Sequence, residues 1–344
     1  MSVKLKIYTD ISFIPPGKKH TIMLYPYLGN PEKDESDTEY GRFDNYVSKG
    51  KEIFEMVASP SEADVFVLPF EYVFDTEGMK MAERMSALAK ENNKKMIVFF
   101  NSDIDKPINL PNAIIFRTSF YRSSKQANEF ALPGWSADFS LTAQEAFAHP
   151  TVKSQKPVVS YCGYVDFINW TEKLNTKSII TSLMNKKNRL VNPGPILRGK
   201  AVRKLLNDNR VTANIIIRKG FWAEGMDKHT ARNEYIQNIL SSDYALVLRG
   251  AGNFSYRLYE VLSLGRIPVF IDSDSVLPFD EFINWKKYMV WINSSEIDSV
   301  ADKLVQFHSA ISLEELNRMK ADCRKLYEEW ICPVAFFSSI YRYV

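Results

Sequence analysis

Cysteine is scarce: Cys162, Cys323 and Cys332 are the whole complement of a 344-residue chain. An odd count, with no paired spacing and no neighbouring histidine, excludes a disulfide framework and a cysteine-rich zinc site. The three thiols are expected to be reduced and structural, as in the cytosol. Histidine is nearly as scarce, and His20, His149, His229 and His308 show no pairing pattern. Long apolar runs are absent as well. No stretch approaches the roughly 18 apolar residues that a membrane-spanning helix needs, and the opening "MSVKLKIYTDISF" lacks the apolar core of a signal peptide. The chain as it stands is therefore expected to have no transmembrane segment and to be cytoplasmic. Charge of one sign is missing too: 44 Lys plus Arg against 41 Asp plus Glu leave a net +3, too small and too dispersed to make nucleic acid a principal partner. Neither G-x-x-x-x-G-K-[ST] nor G-x-G-x-x-G occurs, which speaks against a P-loop and a dinucleotide fingerprint.

What is present is an alternation. The apolar share of 45% and charged share of 25% are globular values, and the length suits two domains. The runs "KLKIY", "DVFVLPF", "KMIVFF", "NAIIF", "VVSYCGYV", "NIIIR", "YALVL" and "IPVFI" are separated by amphipathic segments. Short apolar strands alternating with helices imply parallel sheets of strand-helix-strand units. Helices are expected near Tyr46 to Met56 and Thr76 to Asn92. Two sets of such units are discernible, one over residues 1–155 and one over 156–325. The aromatic-rich remainder, 326–344, reads as a terminal helix broken near Pro333 that packs back on the first domain. Two doubly wound domains facing across a cleft would hold a ligand at the carboxyl ends of their strands.

The stretch "VLRGAGNFSYRLYEVLSLGRIPVFI", residues 247 to 271, carries the chemistry. A strand ends, Gly250 and Gly252 permit a tight turn, and Phe254, Leu258, Val261 and Leu262 recur at helical spacing until Gly265. A helix N-terminus opening right after a strand has unpaired N–H groups and partial positive charge, and so receives phosphate well. Arg249 sits at the strand end and Ser255 in the opening turn, with Arg257 and Glu260 one turn apart on one side of the helix. Guanidinium forks match phosphate, and a carboxylate one turn in suits the two hydroxyls of a ribose. Taken alone, Arg257 and Glu260 would read as an exposed ion pair of about 0.3 to 0.5 kcal/mol. Together with the strand end and the glycines, the group describes a site for a nucleoside diphosphate. Arg218 and Lys219 follow the "NIIIR" run and would fall at another strand end, whereas Arg198 and Arg203 on a helix are weaker candidates.

Residues 244 to 292, "YALVLRGAGNFSYRLYEVLSLGRIPVFIDSDSVLPFDEFINWKKYMVWI", resemble the donor-binding half of the exostosin family of glycosyltransferases. The shared pattern is a strand, Arg-Gly, a Ser-x-Arg-Leu-x-Glu helix, a glycine, a Pro-Val strand, and Leu-Pro-Phe followed by Trp. "SPSEADVFVLPFEY", residues 59 to 72, is similar to the family's amino-terminal signature. The resemblance implies an α/β chain of GT-B architecture, with two Rossmann-like domains and a nucleotide-sugar donor, UDP as the nucleotide, held by the second. It implies transfer to a glycan or glycolipid hydroxyl with inversion, and neither a bound metal nor another cofactor. Arg249 and Arg257, at Gly250, would meet the diphosphate, Ser255 would assist, and Glu260 would hold the ribose. The family's Asn-Arg and Asp-His-Phe are replaced by "KMIVFFNSDIDKP", so the base is not carried over. By position at strand ends, Asp103 is the preferred base, with Glu71, Asp105 and Asp138 as rivals. The pair Asp272 and Asp274 in "IDSDS" is the alternative for a metal. Two rival functions are a fucosyltransferase-like enzyme using GDP-fucose and a non-catalytic binder of sugar nucleotides or polysaccharide.

Overall fold

The computed structural model describes residues 4–32, 36–141, 152–167, 193–220 and 225–344. The first sheet comprises β1 (Leu5–Tyr8), β2 (Phe54–Met56), β3 (Val65–Val67), β4 (Met96–Phe100), β5 (Ala113–Arg117) and β6 (Glu129–Ala131). Its order is β2-β1-β3-β4-β5-β6 and every pair is parallel. Helices α1 (Asp44–Ile53) and α2 (Thr76–Glu91) cross between strands. Strand periodicity assigns the two faces: Met96, Val98 and Phe100 pack with Ala82, Met85 and Ala89 of α2, while Ile97 and Phe99 point to the opposite core. The start of α2 is fixed by Asp75, whose carboxylate accepts the Gly78 N–H at 2.7 Å.

The second sheet is β7 (Val158–Tyr164), β8 (Thr212–Arg218), β9 (Tyr244–Val247), β10 (Ile267–Asp272) and β11 (Val290–Asn293), in the order β11-β10-β9-β7-β8 and again parallel throughout. Its helices are α3 (Pro193–Leu206), α4 (Lys228–Leu240), α5 (Tyr256–Ser263), α6 (Val300–Ala310) and α7 (Leu313–Leu326). In both sheets the chain starts inside, steps outward once, then returns past its first strand. The order reverses between β1 and β3 in one and between β7 and β9 in the other. Those gaps, at the carboxyl ends, are where α/β sheets receive ligands.

The last segment returns to the first domain as expected. In α8 (Pro333–Ser339), the Phe337 ring stacks on Tyr46 of α1 with centroids 4.2 Å apart, and Phe336 meets Phe116 at 5.6 Å and Trp135 at 5.2 Å. The Trp135 indole N–H donates to the Ile331 carbonyl at 3.0 Å. One continuous core therefore joins the terminal segment to both sheets, and the architecture is α/β with two parallel sheets. No described helix is long and apolar enough to cross a membrane. Cys162 and Cys323 are buried free thiols, and Cys332 is a half-buried one.

Three strands escape the sequence pattern. The expected helix from Tyr46 to Met56 ends at Ile53, and the chain turns directly into β2, where Phe54 is buried. Strands β2 and β6 have three residues and β11 four, too few for a period of two to stand out. Replacing Phe337 with Ala should cost about 3 to 5 kcal/mol, as for other buried aromatic truncations. The check is denaturant unfolding against Tyr341→Ala, an exposed neighbour whose loss should leave the midpoint nearly unmoved.

Candidate active site

Three guanidiniums meet at the switch point of the second sheet. Arg249 follows β9 and is buried; its Nη1 donates to the Tyr121 hydroxyl at 2.7 Å and its Nη2 to the Ala251 carbonyl at 2.8 Å. Arg257, in the first turn of α5, reaches across to β7, where its Nη2 donates to the Cys162 carbonyl at 2.5 Å. Arg198, on α3, donates from Nη2 to the Arg249 carbonyl at 2.8 Å. None of the three forms an ion pair with a carboxylate among the described residues, and the Nε atoms of Arg198 and Arg249 are buried with no partner at all. Aromatic faces add to the carbonyl contacts: Arg257 lies 4.3 Å from the Tyr161 centroid and 5.5 Å from that of Tyr235, and Arg249 lies 5.6 Å from that of Tyr121. Burial, together with the charge of Arg257 nearby, pulls Arg198 below the ordinary guanidinium pKa. Clustered, desolvated positive charge is costly unless an anion joins it.

Around this cluster the opening of α5 is unspent. Ser255 occupies the N-cap position, but its hydroxyl makes no capping bond, so the first N–H groups of the helix keep their capacity for an anion. One turn on, Glu260 is buried; its Oε1 accepts from Arg232 at 3.2 Å and its Oε2 from the Tyr235 hydroxyl at 2.5 Å. Tyr235 in turn accepts from the Nε of Arg257 at 3.3 Å. Arg232 also donates to Glu39 and, at 3.2 Å, to Thr38, both in the first domain. Arg257 and Glu260 thus form no direct ion pair and are connected only through Tyr235.

The first domain supplies the facing wall. Gly252 N–H donates to Asp103 Oδ1 at 3.0 Å, and Asn253 N–H to the Ser119 hydroxyl at 2.9 Å. The Asn253 amide donates to the Phe120 and Asp274 carbonyls at 3.0 and 3.1 Å. A Cβ at position 252 would stand 2.7 Å from Asp103 Oδ1. The glycine is required there by the neighbouring domain, not by a ligand as its place in the sequence suggested. Gly250 is less constrained, its N–H donating to the Phe254 carbonyl at 2.7 Å. Glu71 follows β3, at the first sheet's own switch point. It is half-buried, and burial with Glu32 nearby pushes its carboxyl up to about 7, against the Asn101 backbone N–H that bonds it. Tyr256, the exposed first residue of α5, feels the charges of both Asp103 and Glu71.

The other expected residues lie elsewhere. Arg218 ends β8 but is turned onto α4, ion-paired with Glu234 and donating to the Ala231 carbonyl at 3.3 Å; Lys219 beside it is exposed. Asp138 is held by Arg324, near the end of α7, through two bonds of 2.7 and 2.9 Å, a contact between the two domains. Asp105 is exposed beyond Asp103. Asp272 accepts from the Ser275 N–H at 2.8 Å, and Asp274 accepts from the Ser123 hydroxyl at 2.5 Å. The carboxylates of that pair are therefore engaged in the turn and the domain seam. Tyr161, Tyr235, Tyr121, Arg232 and Tyr256 were not marked by any motif. Their signal is only that aromatic and basic residues follow strand ends or share a helix face.

Comparison with known proteins places these features. Residues 155–307 match the exostosin GT47 domain. An exostosin-1 homolog of Caenorhabditis elegans is 26% identical over 107 residues, 31% of this chain and 27% of that protein. Human exostosin-2 is 29% identical over 107 residues, 31% of this chain and 14% of that protein, so the similarity spans a minor part of each relative. Among solved structures, Anabaena HepE in complex with UDP gives a TM-score of 0.39 at 10% identity, covering 98% of both chains. A Staphylococcus aureus TarM mutant, in complex with fondaparinux, α-GlcNAc-glycerol and UDP, gives 0.33 at 10% identity, covering 79% of this chain and 61% of that one. The match to the exostosin GT47 domain covers the second sheet of this protein, from before β7 into α6.

Proposed function

We propose that the protein transfers a sugar from a nucleotide diphosphate sugar, with UDP as the nucleotide, to a hydroxyl of a glycan or glycolipid, inverting the anomeric centre without a metal. The observation that carries this reading is the cluster of Arg198, Arg249 and Arg257, uncompensated at the donor-side switch point and opposite a carboxyl tuned to about 7. The diphosphate would lie against the guanidiniums and the open N-terminus of α5. Glu260, oriented by Tyr235 and Arg232, keeps lone pairs for the ribose hydroxyls. We assign the base to Glu71 in preference to Asp103. Asp103 already holds the Gly252 N–H and follows a strand one place from the switch point, whereas Glu71 stands at it. In the reaction Glu71 takes the proton of the acceptor hydroxyl, whose oxygen bonds to the anomeric carbon on the face opposite the diphosphate. The bond from that carbon to the diphosphate oxygen breaks, and the pair of electrons leaves on a group that the guanidiniums stabilise.

Binding, turnover, pH, chelation and donor choice each test this. Arg257→Ala should weaken UDP binding by roughly 1.5 to 3 kcal/mol, with little change in unfolding midpoint; unaltered affinity by calorimetry would remove the donor assignment. Glu71→Gln should lower kcat by roughly 10² to 10⁴ with UDP affinity kept, whereas Asp103→Asn, whose amide oxygen can still accept the Gly252 N–H, should turn over almost normally. The base works ionised, so the wild-type rate should rise with pH through a midpoint at about 7, and that limb should vanish in Glu71→Gln. With arginines in the stabilising role, turnover should survive EDTA. Loss on chelation and return with Mn²⁺ would instead point to a metal-dependent step. A screen in which GDP-fucose, and no UDP sugar, is consumed would favour the fucosyltransferase reading, and consumption of none would leave a binding protein.

A further inference from the structure

Outside the donor site, the loop between β10 and β11 forms one wall of an open groove of about 540 Å³, within the range of roughly 300 to 1,000 Å³ that small-molecule sites occupy. Its lining is mixed in a particular way. Trp291 on β11 is half-buried against Phe270, with ring centroids 4.9 Å apart, and Phe282 is 47% exposed. Between these aromatic surfaces stand the carboxylates Asp280 and Glu281, and around them Lys286 and Arg122. The Lys286 ammonium lies 5.5 Å from the Trp291 centroid, on a flexible stem that a ligand can displace. Glu281 is anchored by Lys125 at 2.8 Å, while Asp280 lies 3.9 Å from that ammonium. Burial, with Glu281 beside it, raises the Asp280 carboxyl.

Each part of this lining selects against a ligand class. Two carboxylates against two cations leave the lining without net charge to draw in a diphosphate or a sulfated chain, and the carboxylates are already paired with Lys125. The density of charged groups is equally wrong for a lipid tail. What suits aromatic faces flanked by paired acceptors and donors is a neutral polyhydroxylated ring, with its C–H face on the aromatic surface and its hydroxyls on the charged rim. The groove also shares a wall with the donor cleft: Arg122 lines it and donates to the Ser275 carbonyl at 2.7 Å, while the adjoining Tyr121 accepts from Arg249. We propose that this groove binds a neutral oligosaccharide stretch of the acceptor glycan, remote from the hydroxyl that reacts. The assignment to an acceptor rests on the glycosyltransferase reading; the binding of a neutral glycan does not.

The full chain, without donor, is titrated with cellohexaose, maltohexaose, xylohexaose and laminarihexaose and with a heparin-derived hexasaccharide, by calorimetry and tryptophan fluorescence. At least one neutral hexasaccharide should bind, and Trp291→Ala should weaken it by roughly tenfold or more. Because Trp291 also packs on Phe270, Phe282→Ser and Asp280→Ala serve as surface variants and should each weaken the same sugar. UDP affinity should be unchanged in all three. Arg257→Ala should do the reverse, losing UDP and keeping the hexasaccharide. Failure of every neutral sugar to bind, binding of the acidic one alone, or binding untouched by the groove variants would overturn the proposal. Loss of the UDP response alone would instead count against the donor site.

Discussion

The centre of this molecule is arranged around positive charge that has no carboxylate partner among the described residues. Arg198, Arg249 and Arg257 converge from α3, the end of β9 and the first turn of α5, and each spends its hydrogen bonds on carbonyls or tyrosines. A protein that needed only stability would place a carboxylate among them or replace them with apolar side chains, since buried charge contributes little by itself. Carboxylates are in fact at hand: Glu260 is buried nearby, yet its oxygens are turned to Tyr235 and Arg232. Tyr235 is thus a spacer. Accepting from Arg257 while donating to Glu260, it stops the two from neutralising each other and keeps the cationic face open.

The cluster would have no fixed geometry without the first domain. The turn after Arg249 is held by Asp103, Ser119 and the Phe120 carbonyl, all beyond β4 and β5. The loop that carries Asp103 is anchored in its turn by Arg117, which is almost fully buried, ion-paired with Glu129 at 2.6 Å and donating to the Ile104 carbonyl at 2.9 Å. Such a pair adds little net stability, but loss of either partner would leave a buried charge exposed to a nonpolar interior. Its value lies in fixing the loop. Donor-loop shape is therefore set by contacts between domains, and Arg232, shared by Glu39 and Glu260, repeats the device at the other end of α5.

The parallel sheets and the strand-turn-helix of the donor site were legible because their signals are local: apolar runs, glycines, and residues one helical turn apart. Arg249, Ser255, Arg257 and Glu260 all lie about the start of α5, as their spacing required. What sequence reasoning could not reach was anything that depends on pairing across the chain. Arg218 ends its strand as expected, yet Glu234, on the next helix, takes its charge. Gly252 looked like room for a ligand and is instead room for Asp103. Asp138 stood at a plausible position, but its use is decided by Arg324, far along the chain and adjacent only across the contact between the two domains.

The choice between Glu71 and Asp103 shows why strand order outweighs strand quality. Asp103 follows a five-residue strand buried along its whole length, matched in the first domain only by β5, whereas Glu71 follows a strand of only three residues. Burial of a strand reports where the core is, and the core of a parallel sheet is deepest in its middle. A ligand site depends on something else, the gap that opens where successive connections leave for opposite faces of the sheet. With the order β2-β1-β3-β4-β5-β6 that gap lies beside β3. A carboxyl there is half-enclosed by two diverging connections, which is the setting that raises Glu71 to about 7. One strand further on, the loop is free to lean outward, and Asp103 stands exposed against the other domain. The same geometry acts on the second sheet, where the gap between β7 and β9 receives Arg257 against the Cys162 carbonyl and Arg249 from the strand end. Two sheets of the same order therefore set a raised carboxyl at one switch point and a cluster of guanidiniums at the other.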